Sequence, residues 1–418
     1  MNYNRIARKL RQKIAKFSGE VSGGLPKATR RFISEMVYGI QASQSVVLTK
    51  IARTLEESIS IKKVEERLSR QLGRRGLGSI IQRNILKLAS GRIGEDTLLI
   101  LDPSDIRKKY AKKMEYLSKV HDGSQQEIGS GYWFCKVMAT EIRGDAMVPL
   151  AVRLYSSDAP DHVSENHEIL DVIGVVSEAV NKRGIWVMDR GGDRKSLMYP
   201  LLKRSCRFLI RLIGHRHLIH GKNIGLARDI ADSCPCPYRE TVVKIEDGKE
   251  KVYQLDFGFR NVYLPGSTKT LGLLVVRGFG HEPMMLLTTE PLRRNRKVLW
   301  RLVEAYMRRW AIEETIRFIK QSYDVEDVRV LNYQSLQNLM PLVLAASYFA
   351  SVVLDTKAKL KVMAGHVLRA AKRLFGIPDF HYYAIADGLT SIFRRYPGRV
   401  VLIPSQVSEQ ISMFIAEP

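Results

Sequence analysis

Two short apolar runs, each closed by an acid, constrain this chain more than any other feature. Residues 97–102 read TLLILD and residues 184–189 read GIWVMD. Runs this short, apolar at nearly every position, suit strands buried on both faces at the centre of a layered sheet. In open α/β sheets the carboxyl ends of such strands are where ligands gather. Asp102 and Asp189 therefore stand at the carboxyl ends of buried strands. Pro103 follows Asp102 directly, and it is expected to stop the ladder there.

The segments between and after these runs set the order. YWFCKVMATEI and MVPLAVRLYS read as two strands of a hairpin that turns near Gly144-Asp145. Residues 165–182 have helical periodicity. A Gly191-Gly192 turn follows GIWVMD, then a helix from Arg194 towards Lys203 that Pro200 weakens, then the strand RFLIRLI. Three strands, a helix, a strand, a helix and a strand match a ribonuclease-H-like mixed sheet. In that order the first and fourth strands lie side by side, which brings Asp102 to Asp189. Residues 239–290 leave this rhythm for alternating strands, with a hairpin at Asp247-Gly248, and read as an antiparallel β insertion.

Residues 306–320, YMRRWAIEETIRFIK, contain no Gly or Pro and many good helix formers, which predicts one continuous helix. At about 100° per residue, Tyr306, Arg309, Glu313 and Lys320 share a stripe roughly 60° wide. Ile312, Ile316 and Ile319 occupy an adjacent stripe that can face a core. Glu and Arg on helices are most often a solvated face held by ion pairs. The two strand-end aspartates tilt the reading towards a site. Three carboxylates, Asp102, Asp189 and Glu313, repel one another unless a cation neutralises them. Hard oxygen ligands suit Mg²⁺ or Mn²⁺, and two such ions can serve both oxygens of an in-line displacement at a phosphodiester. Tyr306, Arg309 and Lys320 then hold backbone phosphates. Glu314 points about 80° from Tyr306, away from Arg309, so Glu313 is the preferred ligand. Asp105 and Asp193 are read as turn-stabilising residues.

Charge fits a polyanionic partner. The chain of 418 residues has 67 Lys and Arg against 43 Asp and Glu, a net charge of +24. Residues 1–90 hold 19 Lys and Arg, 6 Glu and no Asp. A front end this basic points to nucleic acid. Within it, SVVLTKIARTL and SIKKVEERLSRQL have the outline of a helix-turn-helix, with breaks near 58–60 and 73–78; any small helical bundle makes the same pattern. No apolar h-region follows Met1, and the longest apolar run, residues 339–354, is interrupted and reads as a buried helix rather than a membrane span. Four cysteines do not make a disulfide framework. These features place the protein in the cytoplasm, on the nucleoid if the cell is bacterial. The cluster His215, His217, His220, Cys234 and Cys236 invites zinc, but Cys-Pro-Cys is too closely spaced for a structural zinc site.

Taken together, these residues resemble a DDE transposase of the insertion-sequence-four family. Its mark is Tyr, two residues, Arg, three residues, Glu, six residues, Lys, met here by Tyr306, Arg309, Glu313 and Lys320. DPSDIRKKYAKKMEYL is similar to the family's first-aspartate block and VMDRGGDR to its second. The resemblance implies a ribonuclease-H-like core with a β insertion and Asp102, Asp189 and Glu313 as metal ligands for Mg²⁺ or Mn²⁺. It also implies cut-and-paste transposition through a hairpin on the transposon end. Tyr306, Arg309 and Lys320 would contact end phosphates, and Trp310 matches the aromatic that commonly follows the motif arginine. Partners follow from the same resemblance: double-stranded DNA carrying terminal inverted repeats, target DNA, and a second copy of the chain to pair two ends, with no membrane.

The expected organisation is a helical, basic DNA-binding domain over 1–90, a first part of the catalytic core over 95–238, and the β insertion over 239–292. The rest of the core, with the Glu313 helix, covers 293–356, and a helical region for dimerisation and synapsis covers 357–418. Two rival readings share the fold. One is a domesticated transposase kept as a DNA-binding regulator; the other is a different ribonuclease-H-like nuclease.

Overall fold

The computed structural model describes residues 2–122, 127–144, 146–246, 249–370 and 381–401. The chain divides into two compact units, one formed by Met1–Ile85 with Ile319–Pro418 and the other by Leu86–Phe318.

The second unit is a mixed α/β structure built on one ten-stranded sheet. Its strands are β1 (Leu98–Arg107), β2 (Ser118–Asp122), β3 (Glu127–Thr140), β4 (Met147–Tyr155), β5 (Ile185–Met188) and β6 (Phe208–Arg211). A small separate hairpin, β7 (His217–His220) and β8 (Asn223–Leu226), precedes β9 (Tyr238–Glu246), β10 (Lys249–Val262), β11 (Leu271–Arg277) and β12 (Met284–Thr288). The order across the sheet is β2-β3-β1-β5-β6-β12-β11-β10-β9, with β4 also on β3. Strand β3 is long enough to take β2 along residues 127–131 and β4 along 133–140.

At the centre β1, β5 and β6 run parallel; Leu98–Leu101 of β1, all of β5 and all of β6 but Arg211 are buried, as a sheet covered on both faces requires. Pairing of β1 with β5 runs from Leu98↔Ile185 to Ile100↔Val187. That offset, continued, sets Asp102 level with Asp189. Strands β9 to β12 form antiparallel pairs, and β12 joins β6, so the β insertion extends the central sheet. The turn expected at Asp247-Gly248 lies outside the described residues, as does Asp145 in the turn after Gly144.

Two expectations need correction here. Pro103 does not end the ladder: β1 stays paired with β3 as far as Arg107↔Gly131. Lys108 N–H donates to Ser130 O at 2.7 Å, and alternation along an antiparallel pair then turns the Pro103 nitrogen away from β3. On that side β5 is paired only as far as Ile100, so no ladder bond of β5 is lost to the missing N–H. Strand β2 is also absent from the sequence reading, because Ser118–Asp122 is short and polar and gains its order by pairing with β3.

Helix Glu165–Ala179 packs on β3 and β4, with its N-terminus capped by Ser164. Helix Arg296–Arg308 begins at Asn295, whose side chain accepts from the N–H groups of Lys297 and Val298. It is pinned to the sheet by Trp300 against Phe257, ring centroids 5.5 Å apart, and by Arg301 to Asp96 at 2.6 Å.

The first unit is helical. Tyr3–Val21, Lys27–Ser43, Leu48–Thr54 and Ile61–Leu72 come from the front of the chain, and Tyr333–Tyr348, Thr356–Ala370 and Tyr382–Arg395 from its later part. Buried amides tie them: Gln41 Nε2 donates to Ala346 O at 2.8 Å, and Asn338 Nδ2 donates to Leu72 O at 2.7 Å. Buried Glu35 takes Arg31 and Arg67, each at 2.6 Å, which fastens Ile61–Leu72 to Lys27–Ser43. The exposed face of Ile61–Leu72 carries Lys62, Lys63, Glu66 and Arg70. The apolar run expected as a buried helix is Tyr333–Tyr348, continued by a π turn at Phe349–Val353. It is the one described helix long and apolar enough to cross a membrane, and its most apolar window is 78% buried inside the protein. Of the helical region expected over 357–418, residues 371–380 and 402–418 lie outside the described residues.

Candidate active site

The carboxyl edge of the parallel strands carries the site. Asp102 lies within β1 and its side chain is 15% exposed. Asp189 follows the last residue of β5 and caps a short 3₁₀ turn, Arg190–Gly192, where its Oδ1 accepts from Gly191 N–H at 2.8 Å. That turn needs glycine at 192, because a Cβ there would stand 2.8 Å from Met188 Cβ. Sequence and geometry agree on why VMDRGG reads as it does: a strand must end, turn sharply and leave the Asp189 side chain pinned at the edge.

The segment expected as one helix over 306–320 is two. Arg296–Arg308 ends at Arg309, and a new helix runs Ala311–Ser322. The junction is tightened by bonds of three-residue span, Arg309 N–H to Tyr306 O at 3.0 Å, Ile312 N–H to Arg309 O at 3.0 Å and Glu313 N–H to Trp310 O at 3.1 Å. The common stripe therefore does not extend across the break. Ile312 and Ile316 are buried as the isoleucine stripe requires. The break has a chemical consequence, since Glu313 falls in the first turn of the second helix, where the helix dipole favours an anion.

Arg309 is the centre of the arrangement. It is 5% exposed, its Nη2 lies 2.8 Å from Glu313 Oε1, and its Nη1 lies 3.8 Å from Asp102 Oδ1. Its guanidinium also sits over the Tyr306 ring, 5.9 Å from the centroid. Burial pushes the Asp102 carboxyl up to about 7; Arg309 opposes that, while Asp189 and Glu313 add to it by repulsion. The structure thus brings Asp102, Asp189, Glu313, Arg309 and Tyr306 together. Trp310 is half exposed beside them. Lys320 falls in the helical unit, where its Nζ pairs with Glu326 at 3.2 Å. Glu314 pairs with Arg317 at 2.6 Å on the exposed side. Asp193 is buried and accepts from Ile213 N–H and Arg216 Nε, both at 2.6 Å, which ties the turn after β5 to the segment after β6.

Of the possible zinc residues, His217 and His220 lie on β7, and His220 Nδ1 faces Asn261 O at 3.0 Å. Among the described residues no three His, Cys, Asp or Glu side chains are already close enough to enclose a metal. At the carboxylate edge Arg309 touches Asp102 and Glu313, so closing these oxygens on a cation requires Arg309 to give up Glu313. The donor set still fits one. It is all oxygen, and the Asp102 carboxyl is destabilised by burial and by its neighbours' charge, which a hard cation would relieve.

Comparison with known proteins decides the family. A model of the transposase DDE domain matches residues 93–349, more than half of the chain. The chain belongs to the DDE transposase family. Members of that family work with divalent metal ions. No curated protein sequence matches the chain. Among solved structures, a piggyBac transposase synaptic complex with hairpin DNA aligns with a TM-score of 0.44 and 9% identity, over 94% of this chain and 80% of its own.

Sequence reasoning did not find a second feature beside these residues of the transposase. A cavity of about 450 Å³ opens beside Tyr306 and Trp310, lined also by Arg190, Arg211, Tyr253 and Phe279. Tyr253 and Phe279 lie 5.5 Å apart between ring centroids. These residues come from β10, from the loop after β11 and from the ends of β5 and β6, so no local pattern joins them. Lys136, on β3 opposite Asp102, likewise carries no local signal beyond that of a strand residue.

Proposed function

We propose that this transposase cuts the ends of its element and joins them to target DNA, with Asp102, Asp189 and Glu313 as the ligands of divalent metal. The observation that carries the reading is the convergence of these carboxylates at one strand edge with Arg309 among them. The strand order β4-β3-β1-β5-β6 supports a ribonuclease-H-like core, to which β9–β12 add the insertion. When bound, Mg²⁺ or Mn²⁺ supplies activation of the attacking oxygen and neutralisation of the leaving one.

The protein's own residues do the rest. Asp102 must be ionised to bind a metal, and its raised pKa makes that state costly until a cation arrives. Glu313 has the helix N-terminus behind it. Arg309, released from Glu313, is set to grip a backbone phosphate bidentately, with Tyr306 under its guanidinium. Trp310, Tyr253 and Phe279 offer aromatic faces to a base unstacked from the duplex end, which suits a strand bent into a hairpin. A second copy of the chain would hold the partner end.

The hairpin step has a direct test. Incubated with a short duplex ending in the element's terminal repeat, wild type should yield a covalently closed end that runs at double length on a denaturing gel. Tyr253→Ala with Trp310→Ala is expected to lose closed ends by about tenfold or more while first-strand nicking persists, since each stacked base contributes about 1–3 kcal/mol. Closed ends undiminished in that double variant would sink the stacking role. Nicking with no closed product and no joining to a plasmid target would favour the plain nuclease.

A further inference from the structure

Lys136 is the buried charge that the proposed chemistry leaves unused. It is 2% exposed, on β3, and it lies directly opposite Asp102 in the β1–β3 register. Opposite residues of an antiparallel pair project to the same face of the sheet, so the Lys136 side chain starts out alongside the first carboxylate. Its Nζ then donates to the backbone carbonyl of Thr315 at 3.0 Å. Thr315 is buried in the first turns of the helix that carries Glu313, two residues beyond it. One side chain therefore spans from the strand of Asp102 to the helix of Glu313.

Such a lysine is expensive to keep. Burial lowers its pKa to about 7, and an apolar side chain of the same length would fill the space without that cost. Among the described residues Lys136 forms no ion pair, and its ammonium group is held by the Thr315 carbonyl instead. What it does have is a single directed bond to the element whose position decides whether Glu313 faces Asp102.

We infer that Lys136 is a positioning residue for the metal site, a strut that fixes the distance between the Glu313 helix and the Asp102 strand. It touches neither DNA nor the reacting atoms. The inference rests on the reading of Asp102 and Glu313 as metal ligands. It explains why a charged residue stands in the middle of YWFCKVMA, where every other residue is apolar.

The test uses the full chain and Mn²⁺ as probe, with binding followed by paramagnetic resonance and Glu313→Gln as the baseline for unrelated sites. Lys136→Met keeps most of the apolar stem, ends one atom short of the lysine nitrogen and has no N–H to donate. Its Mn²⁺ affinity should fall about 10- to 100-fold, the usual effect of removing a residue that orients ligands. The same variant should lose kcat on a terminal-repeat duplex while its affinity for that duplex stays at the wild-type value. Lys136→Gln, also one atom shorter than lysine, keeps an N–H donor that cannot reach Thr315 O without moving the helix, and should show the same loss. It serves as the deciding variant where Lys136→Met does not unfold cooperatively. Mn²⁺ affinity equal to wild type in either folded variant overturns the inference. If wild type binds no more Mn²⁺ than Glu313→Gln, it is the reading of the carboxylates that fails.

Discussion

Asp189→Asn is expected to lower metal-dependent cleavage of the element's end by about a thousandfold or more, which corresponds to roughly 4 kcal/mol in the transition state. The substitution is chosen because it spares the fold. The Asn side-chain oxygen can still accept from Gly191 N–H, the bond of 2.8 Å that holds the turn after β5. Only the charge is lost, and with it one anionic ligand. Binding to a terminal-repeat duplex should be unchanged, and the thermal midpoint should move little. Cleavage within about tenfold of wild type would remove Asp189 from the site, because no neutral amide replaces a carboxylate at a hard cation without a larger loss. Equal DNA binding by wild type and variant, with neither cutting, would instead point to the DNA-binding regulator.

Asp102→Asn has the second large effect, and it is on stability. In the folded protein the Asp102 carboxyl is pushed from the ordinary 3.8 to about 7, chiefly by burial. A carboxyl protonated more readily when folded than when unfolded makes folding less favourable as pH rises between those values. The penalty is absent below about pH 4, grows through pH 4–7 and is complete above 7, where it is on the order of 4 kcal/mol at most. The metal-free wild type should therefore melt lower at pH 8 than at pH 5.5, as far as this group decides. Asp102→Asn should raise the pH 8 midpoint by about 5 °C or more and leave the midpoint near pH 4.5 almost unchanged. Added Mn²⁺ should recover stability in wild type at pH 8 and not in the variant. A variant no more stable than wild type at pH 8 would show that Asp102 is not held in a destabilising environment, and the argument that it awaits a cation would lose its basis.

Much of this was legible in the chain because it is written locally. TLLILD and GIWVMD are apolar runs that end in an acid, and a parallel pairing of β1 with β5 is enough to set Asp102 level with Asp189. The spacing of Tyr306, Arg309 and Glu313 is also local, and the fold sets these three side by side, whereas Lys320 pairs with Glu326 in the helical unit. What escaped depends on contacts that no local pattern encodes. Residues 306–320 contain no helix breaker, yet the helix restarts at Arg309–Trp310, where Arg309 is drawn into the sheet to meet Asp102. A proline reads as a stop when its strand neighbours are unknown; with β5 paired only to Ile100, the missing N–H of Pro103 costs no ladder bond there. Lys136 looks like any polar residue in a strand until the Thr315 carbonyl is seen 3.0 Å from its nitrogen. The aromatic cavity takes Tyr253 and Phe279 from segments far from Trp310, and only the folded sheet brings them together.

The account stands or falls on metal-dependent chemistry at the three carboxylates. The measurement that tests it most directly is cleavage of an end-labelled duplex carrying the element's own terminal repeat, with Mg²⁺ and then with EDTA, by wild type and by Glu313→Gln. Nicking at the repeat boundary that requires Mg²⁺ and disappears with Glu313→Gln is the predicted result. Boundary nicking that persists in EDTA, or that Glu313→Gln leaves intact, would contradict it.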